Sequence, residues 1–215
     1  MRVGVLGSGD VGRTLATGFA GAGHDVCIGS RSAANAELAA WKKSSGAKVS
    51  IGTFRDAAAH GEVVVLATLG SVVDSVIDLA GADEFRGKLV LDATNALDFS
   101  HGMPPGLFVG TTDSLGERIQ RRLPEAHVVK CFNTVPHVLM VHPKLKNAPL
   151  EMLICGNDAS AKKRTTEILQ SLGWTGAIDV GGIESARWLE ALVPLWVRVG
   201  ATLGTFGHAF VVARS

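Results

Sequence analysis

Six residues near the amino terminus, Gly7-Ser8-Gly9-Asp10-Val11-Gly12, have the types and spacing needed to hold a pyrophosphate. They directly follow a short aliphatic run and open a helical pattern. In that context G-x-G-x-x-G is a dinucleotide-binding fingerprint; elsewhere it is a weak signal. Gly7 permits the tight turn, Gly9 lets backbone amides approach the phosphates, and Gly12 lets the helix pack closely on the strand. The unpaired amides and partial positive charge of the helix N-terminus complete an anion site.

The end of the next strand selects the dinucleotide. A carboxylate there would hold the ribose hydroxyls of NAD, but the chain reads Gly29-Ser30-Arg31-Ser32, with no acid before Glu37. Ser30 and Arg31 can donate to a 2′-phosphate, and Ser8 is placed to reach the same group. A hydrogen bond to a charged group contributes about 1.5–3 kcal/mol, so NADP(H) is the expected cofactor. Further along, Thr68-Leu69-Gly70-Ser71 is expected to line the adenosine side. Asp92-Ala93-Thr94-Asn95 and Phe132-Asn133-Thr134-Val135-Pro136 end two later strands and should frame the nicotinamide, with Asn95 or Asn133 orienting its carboxamide.

The elements that must position these residues alternate strand and helix. Strands are expected over 2–6, 25–28, 48–51, 63–67, 88–91 and 127–131, with helices over 11–22, 33–43, 54–60, 72–79 and 114–122. Such alternation means βαβ units and a doubly wound parallel sheet, a Rossmann-type α/β fold. A long loop, 95–112, carries Gly102, Pro104, Pro105, Gly106 and Gly110; loops of that length are usually functional or mobile. A second region has strands over 150–155 and 176–180, a helix over 159–172, and a long apolar helix over 183–203 that Pro194 should bend or break. The expected division is an NADP-binding domain at 1–149 and a small α-rich C-terminal domain at 150–215 that carries the long apolar helix.

Composition narrows the function classes. The 215 residues carry 21 basic and 20 acidic side chains, a formal net charge of +1, which leaves no electrostatic footprint for nucleic acid. No charge block suggests a membrane patch. Residues 63–82 and 192–213 are apolar enough to raise a membrane span, but Asp74 and Asp78 interrupt the first, and Pro194, Arg198 and His208 the second. Cys27, Cys131 and Cys155 form no CxxC pair and no metal ladder; they read as buried reduced thiols of a cytoplasmic protein. Lys144 and Lys146 are expected in solvent, and Arg187 and Glu190, three apart on one helix, are expected to pair.

Gly7-Ser8-Gly9-Asp10-Val11-Gly12, Gly29-Ser30-Arg31, Lys130-Cys131-Phe132-Asn133-Thr134-Val135-Pro136, Cys155-Gly156-Asn157-Asp158 and the Gly181–Arg187 stretch occur in one order. In these the chain resembles the NADPH-dependent coenzyme F420 reductase (F420H2:NADP oxidoreductase) family over nearly its full length. The resemblance implies a Rossmann domain followed by a small dimerising domain, with the deazaflavin of F420 lying over the nicotinamide between them. It places NADP contacts on Ser8, Gly9, Asp10, Val11, Ser30 and Arg31, a main-chain contact at His137, and the hydride-transfer cleft at Asn133, Val135 and Pro136. Two positions depart: archaeal members carry a histidine at Asn133 and a lysine near Asn35.

Hydride transfer between stacked rings needs proximity, orientation and exclusion of water, not a side-chain acid or nucleophile. No such group is expected here. The leading expectation is an NADPH-dependent oxidoreductase passing hydride to or from a deazaflavin or flavin-like acceptor. The alternatives are a reductase of a small imine, ketone or free flavin, and a non-catalytic NADP-sensing protein that binds NADPH without turnover. The apolar last helix, with Trp188 and Trp196, argues against a monomer without counting subunits; a homodimer is the assembly that the resemblance implies.

Overall fold

The computed structural model describes residues 1–45, 47–145 and 150–213; Lys146 and residue 149, where the first expected domain ends, lie outside these. Its strands in chain order are β1 (Arg2–Leu6), β2 (Asp25–Ser30), β3 (Val49–Thr53), β4 (Val63–Leu66), β5 (Leu89–Asp92), the two-residue β6 (Leu97–Asp98) and β7 (Gly106–Leu107), β8 (His127–Lys130), β9 (Glu151–Gly156) and β10 (Gly176–Asp179). The helices are α1 (Asp10–Gly21), α2 (Ala36–Ser45), α3 (Phe54–His60), α4 (Val73–Ala80), α5 (Leu115–Arg122), α6 (Ala159–Ser171) and α7 (Ala186–Leu203).

The main sheet has the order β10-β9-β8-β5-β4-β1-β2-β3. Its last six members are parallel, the 3-2-1-4-5-6 arrangement of a Rossmann fold. Alternation of side chains sorts each strand between two layers. Val63 and Val65 pack with Leu15 and Phe19 of α1, whereas Val64 and Leu66 pack with Phe54 of α3 and Ile77 of α4. This is why the β4 sequence is apolar without interruption: both faces are covered.

Register fixes what stands at the carboxyl rim. Gly29, Leu6, Leu66, Asp92 and Lys130 form one row across five strands. The turns that follow this row carry the expected site residues, and the order of strands reverses between β1 and β4, where an open α/β sheet opens its crevice.

Three features differ from expectation. β9 runs antiparallel to β8, joined through Val129↔Gly156 and Lys130↔Cys155, so the sheet continues past residue 150 with β10 parallel to β9. The 95–112 segment is not featureless, because β6 pairs with β7 and the Phe108 amide donates to the Ala96 carbonyl at 3.0 Å. Finally, α7 is not broken: it runs through Pro194. Proline removes one helical donor, but buried Leu189, Glu190, Val193 and Val197 hold the turns on either side to the core. No described helix is long and apolar enough to cross a membrane.

Candidate dinucleotide-binding cleft

The glycines after β1 divide by what surrounds them. Gly7 has φ +140°, and a Cβ there would stand 2.1 Å from the Ala67 carbonyl oxygen. A Cβ on Gly12 would stand 2.0 Å from the Gly7 oxygen. Both are required by the protein's own packing. Gly9 is different: its φ of −79° suits any residue, and a Cβ would meet nothing within 4 Å. Gly9 caps α1 without a side-chain bond, so the first-turn amides face open space. That space fits the pyrophosphate of a dinucleotide, which needs close backbone approach.

A cleft of about 800 Å³ lies over this turn. Of the residues expected from sequence, Gly7, Ser8, Gly9, Asp10, Val11, Arg31, Thr68, Leu69 and His137 border it; Gly12 sits beneath it. Arg31 is exposed and makes no ion pair among the described residues, since the first acid after it, Glu37, pairs with Arg13 at 3.5 Å. Ser30 is buried. Its hydroxyl donates to the Ser32 carbonyl at 2.7 Å and accepts from the Asn35 side-chain amide at 3.3 Å, so it shapes the Arg31 loop with its one hydrogen already committed. Thr68 Oγ1 is buried at the cleft without a partner, an open valence for a polar ligand group.

Sequence reasoning missed one wall. Phe54, Val72, Val76 and Leu79 give the cleft an apolar side, suited to the flat face of a purine. The signal was the amphipathic spacing of Val72, Val76 and Leu79, of which Val76 is buried while Val72 and Leu79 stay exposed at the cleft.

The expected nicotinamide end is built differently from the sequence reading. Asn133 is 4% exposed, and its amide nitrogen donates to Asn95 Oδ1 and to the Leu189 carbonyl, each at 3.0 Å. Asn95 Nδ2 in turn donates to the Asn133 carbonyl at 3.0 Å. The two asparagines brace each other and α7 behind the cleft, and neither borders it; Asn133 Oδ1 stays buried and unpartnered. Val135 and Pro136 are half-buried beside them. Phe132, fully buried, has φ +64°, an unusual conformation for a bulky residue and a sharp turn out of β8.

Under this end lies a buried ionic cluster. Lys130 Nζ is 2.8 Å from Asp92 Oδ2 and 2.8 Å from Glu190 Oε1, all essentially without exposure. Asp92 Oδ1 accepts from the Thr94 amide and hydroxyl at 2.9 and 2.6 Å. Glu190 accepts the Leu115 and Gly116 amides at the start of α5, both at 2.9 Å. Burial alone would push the Lys130 ammonium down, but the two carboxylates hold it above its ordinary range. Glu190 therefore does not pair with Arg187 as expected. Arg187 Nε bonds Glu117 at 2.8 Å across to α5, because Glu190 lies on the buried face of α7 and the Arg187 side chain is partly exposed.

Cys27, Cys131 and Cys155 are free and buried. Burial raises all three thiols, Cys155 to about 12, with the Asp92 charge adding to the effect on Cys131 and Cys155. Thiolates are the reactive form, so a colorimetric disulfide reagent at pH 8 should titrate none of the three in the folded protein and all three in denaturant. Rapid reaction of any thiol in the native protein would contradict this burial.

The cleft residues thus offer an anion cradle, a free guanidinium and an apolar wall. Residues 2–96 match the family model described as NADP oxidoreductase, coenzyme F420-dependent. The F420-dependent NADP reductase of Methanocaldococcus jannaschii is 33% identical over 207 residues, 92% of this chain and 91% of that protein. The metalloreductase STEAP3 of Rattus norvegicus is 33% identical over 91% of this chain, which spans only 38% of that longer protein. A crystal structure described as a candidate F420-dependent NADP-reductase from Arthrobacter sp. FB24 superposes with a TM-score of 0.94 and 44% identity, over 100% of both chains. The chain belongs to the coenzyme F420-dependent NADP oxidoreductase family.

Proposed function

We propose that this chain is an NADP(H)-dependent oxidoreductase that exchanges hydride with the deazaflavin of coenzyme F420. The observation that carries the reading is the pairing, in one cleft, of a Gly9 cradle vacant of protein atoms with an Arg31 guanidinium free of any described carboxylate. The relatives' names support the acceptor. Bound NADPH supplies the hydride; the chain supplies position and dryness. The α1 amides hold the pyrophosphate, Arg31 the 2′-phosphate, and Val72, Val76 and Leu79 exclude water from the adenosine. Val135 and Pro136 form the acceptor's side, braced from behind by the Asn95–Asn133 pair, with a main-chain contact to the dinucleotide at His137. Among the described residues bordering the cleft, Asp10, Arg31 and His137 are the ionisable ones, and direct hydride transfer assigns none of them a proton.

The protein works as a homodimer in this reading, since α7 and the tail after it leave Trp188, Leu195, Leu203 and Phe206 exposed. Three reduced buried thiols suit the cytoplasm. Stopped-flow mixing with NADPH and purified F420 tests the activity. Simultaneous loss of NADPH and deazaflavin absorbance is expected. Turnover confined to imines, ketones or free flavin would point to another reductase; tight NADPH binding with no acceptor reduced would leave a sensor.

A further inference from the structure

We infer that the buried Asp92–Lys130–Glu190 cluster carries a net charge of −1 beneath the nicotinamide end of the cleft, and favours binding of the oxidised dinucleotide over the reduced one. This rests on the NADP(H) reading above.

The charge count comes from hydrogen bonding. All four carboxylate oxygens act as acceptors: Asp92 Oδ1 from Thr94, Asp92 Oδ2 from Lys130, Glu190 Oε1 from Lys130 and Gly116, and Glu190 Oε2 from Leu115. The ammonium and amide donors carry no lone pair that could receive a carboxyl proton, so both groups act as acceptors only, which is the ionised form. One ammonium then faces two carboxylates. The start of α5 offsets part of the surplus through its amides, but it adds no full charge.

Placement follows from register. Asp92 pairs with Lys130 across β5 and β8, and both point to the layer that contains α5 and α7, as Val90 and Val128 do. Ala93, the next residue after Asp92, borders the cleft; consecutive Cα atoms are about 3.8 Å apart. The cluster therefore stands one residue behind the rim at which the second half of the dinucleotide is expected. Nothing in the reaction uses these groups directly. No solvent reaches them, so their field is weakly screened.

The consequence is selective. NADP⁺ and NADPH carry identical phosphates and adenosine, and differ in that the oxidised ring bears a positive charge. A negative field at that ring stabilises NADP⁺ relative to NADPH, which makes bound NADPH the better hydride donor. Cancelling one buried charge should weaken NADP⁺ relative to NADPH by roughly ten-fold, the effect of a unit charge about 12 Å away at an effective dielectric near 20.

The test is the ratio of NADP⁺ to NADPH dissociation constants, by calorimetry on the full chain at fixed pH. Glu190→Gln takes the cluster to net zero, and so does the triple variant K130M/D92N/E190Q, which leaves no unpaired buried charge and guards against a failure of the single variant to fold. Asp92→Asn reaches net zero by a second route, with Glu190 still paired to Lys130. The ratio should rise to a similar extent in all the net-zero proteins, whatever each does to melting temperature. An unchanged ratio in a folded net-zero protein overturns the inference, as does a ratio that follows stability instead of charge. Failure of the unaltered protein to bind either nucleotide would instead sink the cofactor reading.

Discussion

Arg31→Glu is expected to weaken NADPH binding by roughly 100-fold while leaving NADH within about threefold of its original, weaker affinity. The guanidinium contributes about 1.5–3 kcal/mol through charge-assisted bonds to a 2′-phosphate, and a carboxylate in its place adds repulsion. No described residue competes for Arg31, because Glu37 pairs with Arg13, so the substitution removes no internal bond and the melting temperature should hold. Arg31→Ala should lose roughly tenfold, the attraction without the repulsion. Calorimetric titration with both nucleotides reads the effect. Equal losses for NADPH and NADH would mean that Arg31 acts on something the two share, and the assignment of the 2′-phosphate would fall. Ser30 is the instructive neighbour. With its hydroxyl donating to Ser32, Ser30→Ala should disturb the loop that presents Arg31 more than it removes a phosphate contact.

The second large effect separates binding from folding at a single atom. Gly9→Ala adds a methyl group into space that contains no protein atom within 4 Å, at a φ alanine accepts, so stability should be unchanged or slightly raised. The same methyl fills the approach to the α1 amides, and NADPH affinity should drop roughly 10- to 100-fold, about 1.4–2.7 kcal/mol. Gly12→Ala is the control in the opposite sense. Its Cβ would collide with the Gly7 oxygen at 2.0 Å, and strain of this kind costs about 1–3 kcal/mol or more of folding stability. Thermal melts together with titrations distinguish the two. A Gly9→Ala protein that binds NADPH normally would show that no ligand approaches that turn.

How much of this was legible in the sequence depends on the range over which each signal acts. The strand runs and the glycine turn are local: four consecutive apolar residues at Val63–Leu66, or a helix at Phe54–His60 opened by a Thr53 and Asp56 capping box, declare themselves within one window. Leu69, Thr68 and Arg31 followed from the rule that ligands meet strand ends. What did not follow were contacts that depend on register between distant segments. Asp92 and Lys130 are 38 positions apart, and only the pairing of β5 with β8 puts them side by side. Glu190 and Arg187 looked like partners because helical spacing is visible, whereas the α5 amides and Glu117 that claim them are more than 60 residues away. Asn133 was read as a ligand contact on its position at a strand end; its burial against Leu189 could be learned only once α7 had been placed. Of the bend or break expected at Pro194, the break is absent for a related reason: a helix anchored by buried side chains on both sides of a missing donor need not end there.

Direct passage of hydride between NADPH and a deazaflavin in this cleft, as proposed, leaves an isotopic record. The most direct measurement follows the transferred atom. NADPH carrying deuterium at the reactive carbon of the nicotinamide is incubated with the protein and oxidised F420 under argon, and the reduced deazaflavin is weighed by mass spectrometry. One deuterium per reduced acceptor is expected from one stereochemical form of labelled NADPH and none from the other, because the cofactor is held with one ring face toward the acceptor. Reduced deazaflavin without label from either form, or no reduction under conditions where NADPH is fully bound, would contradict it.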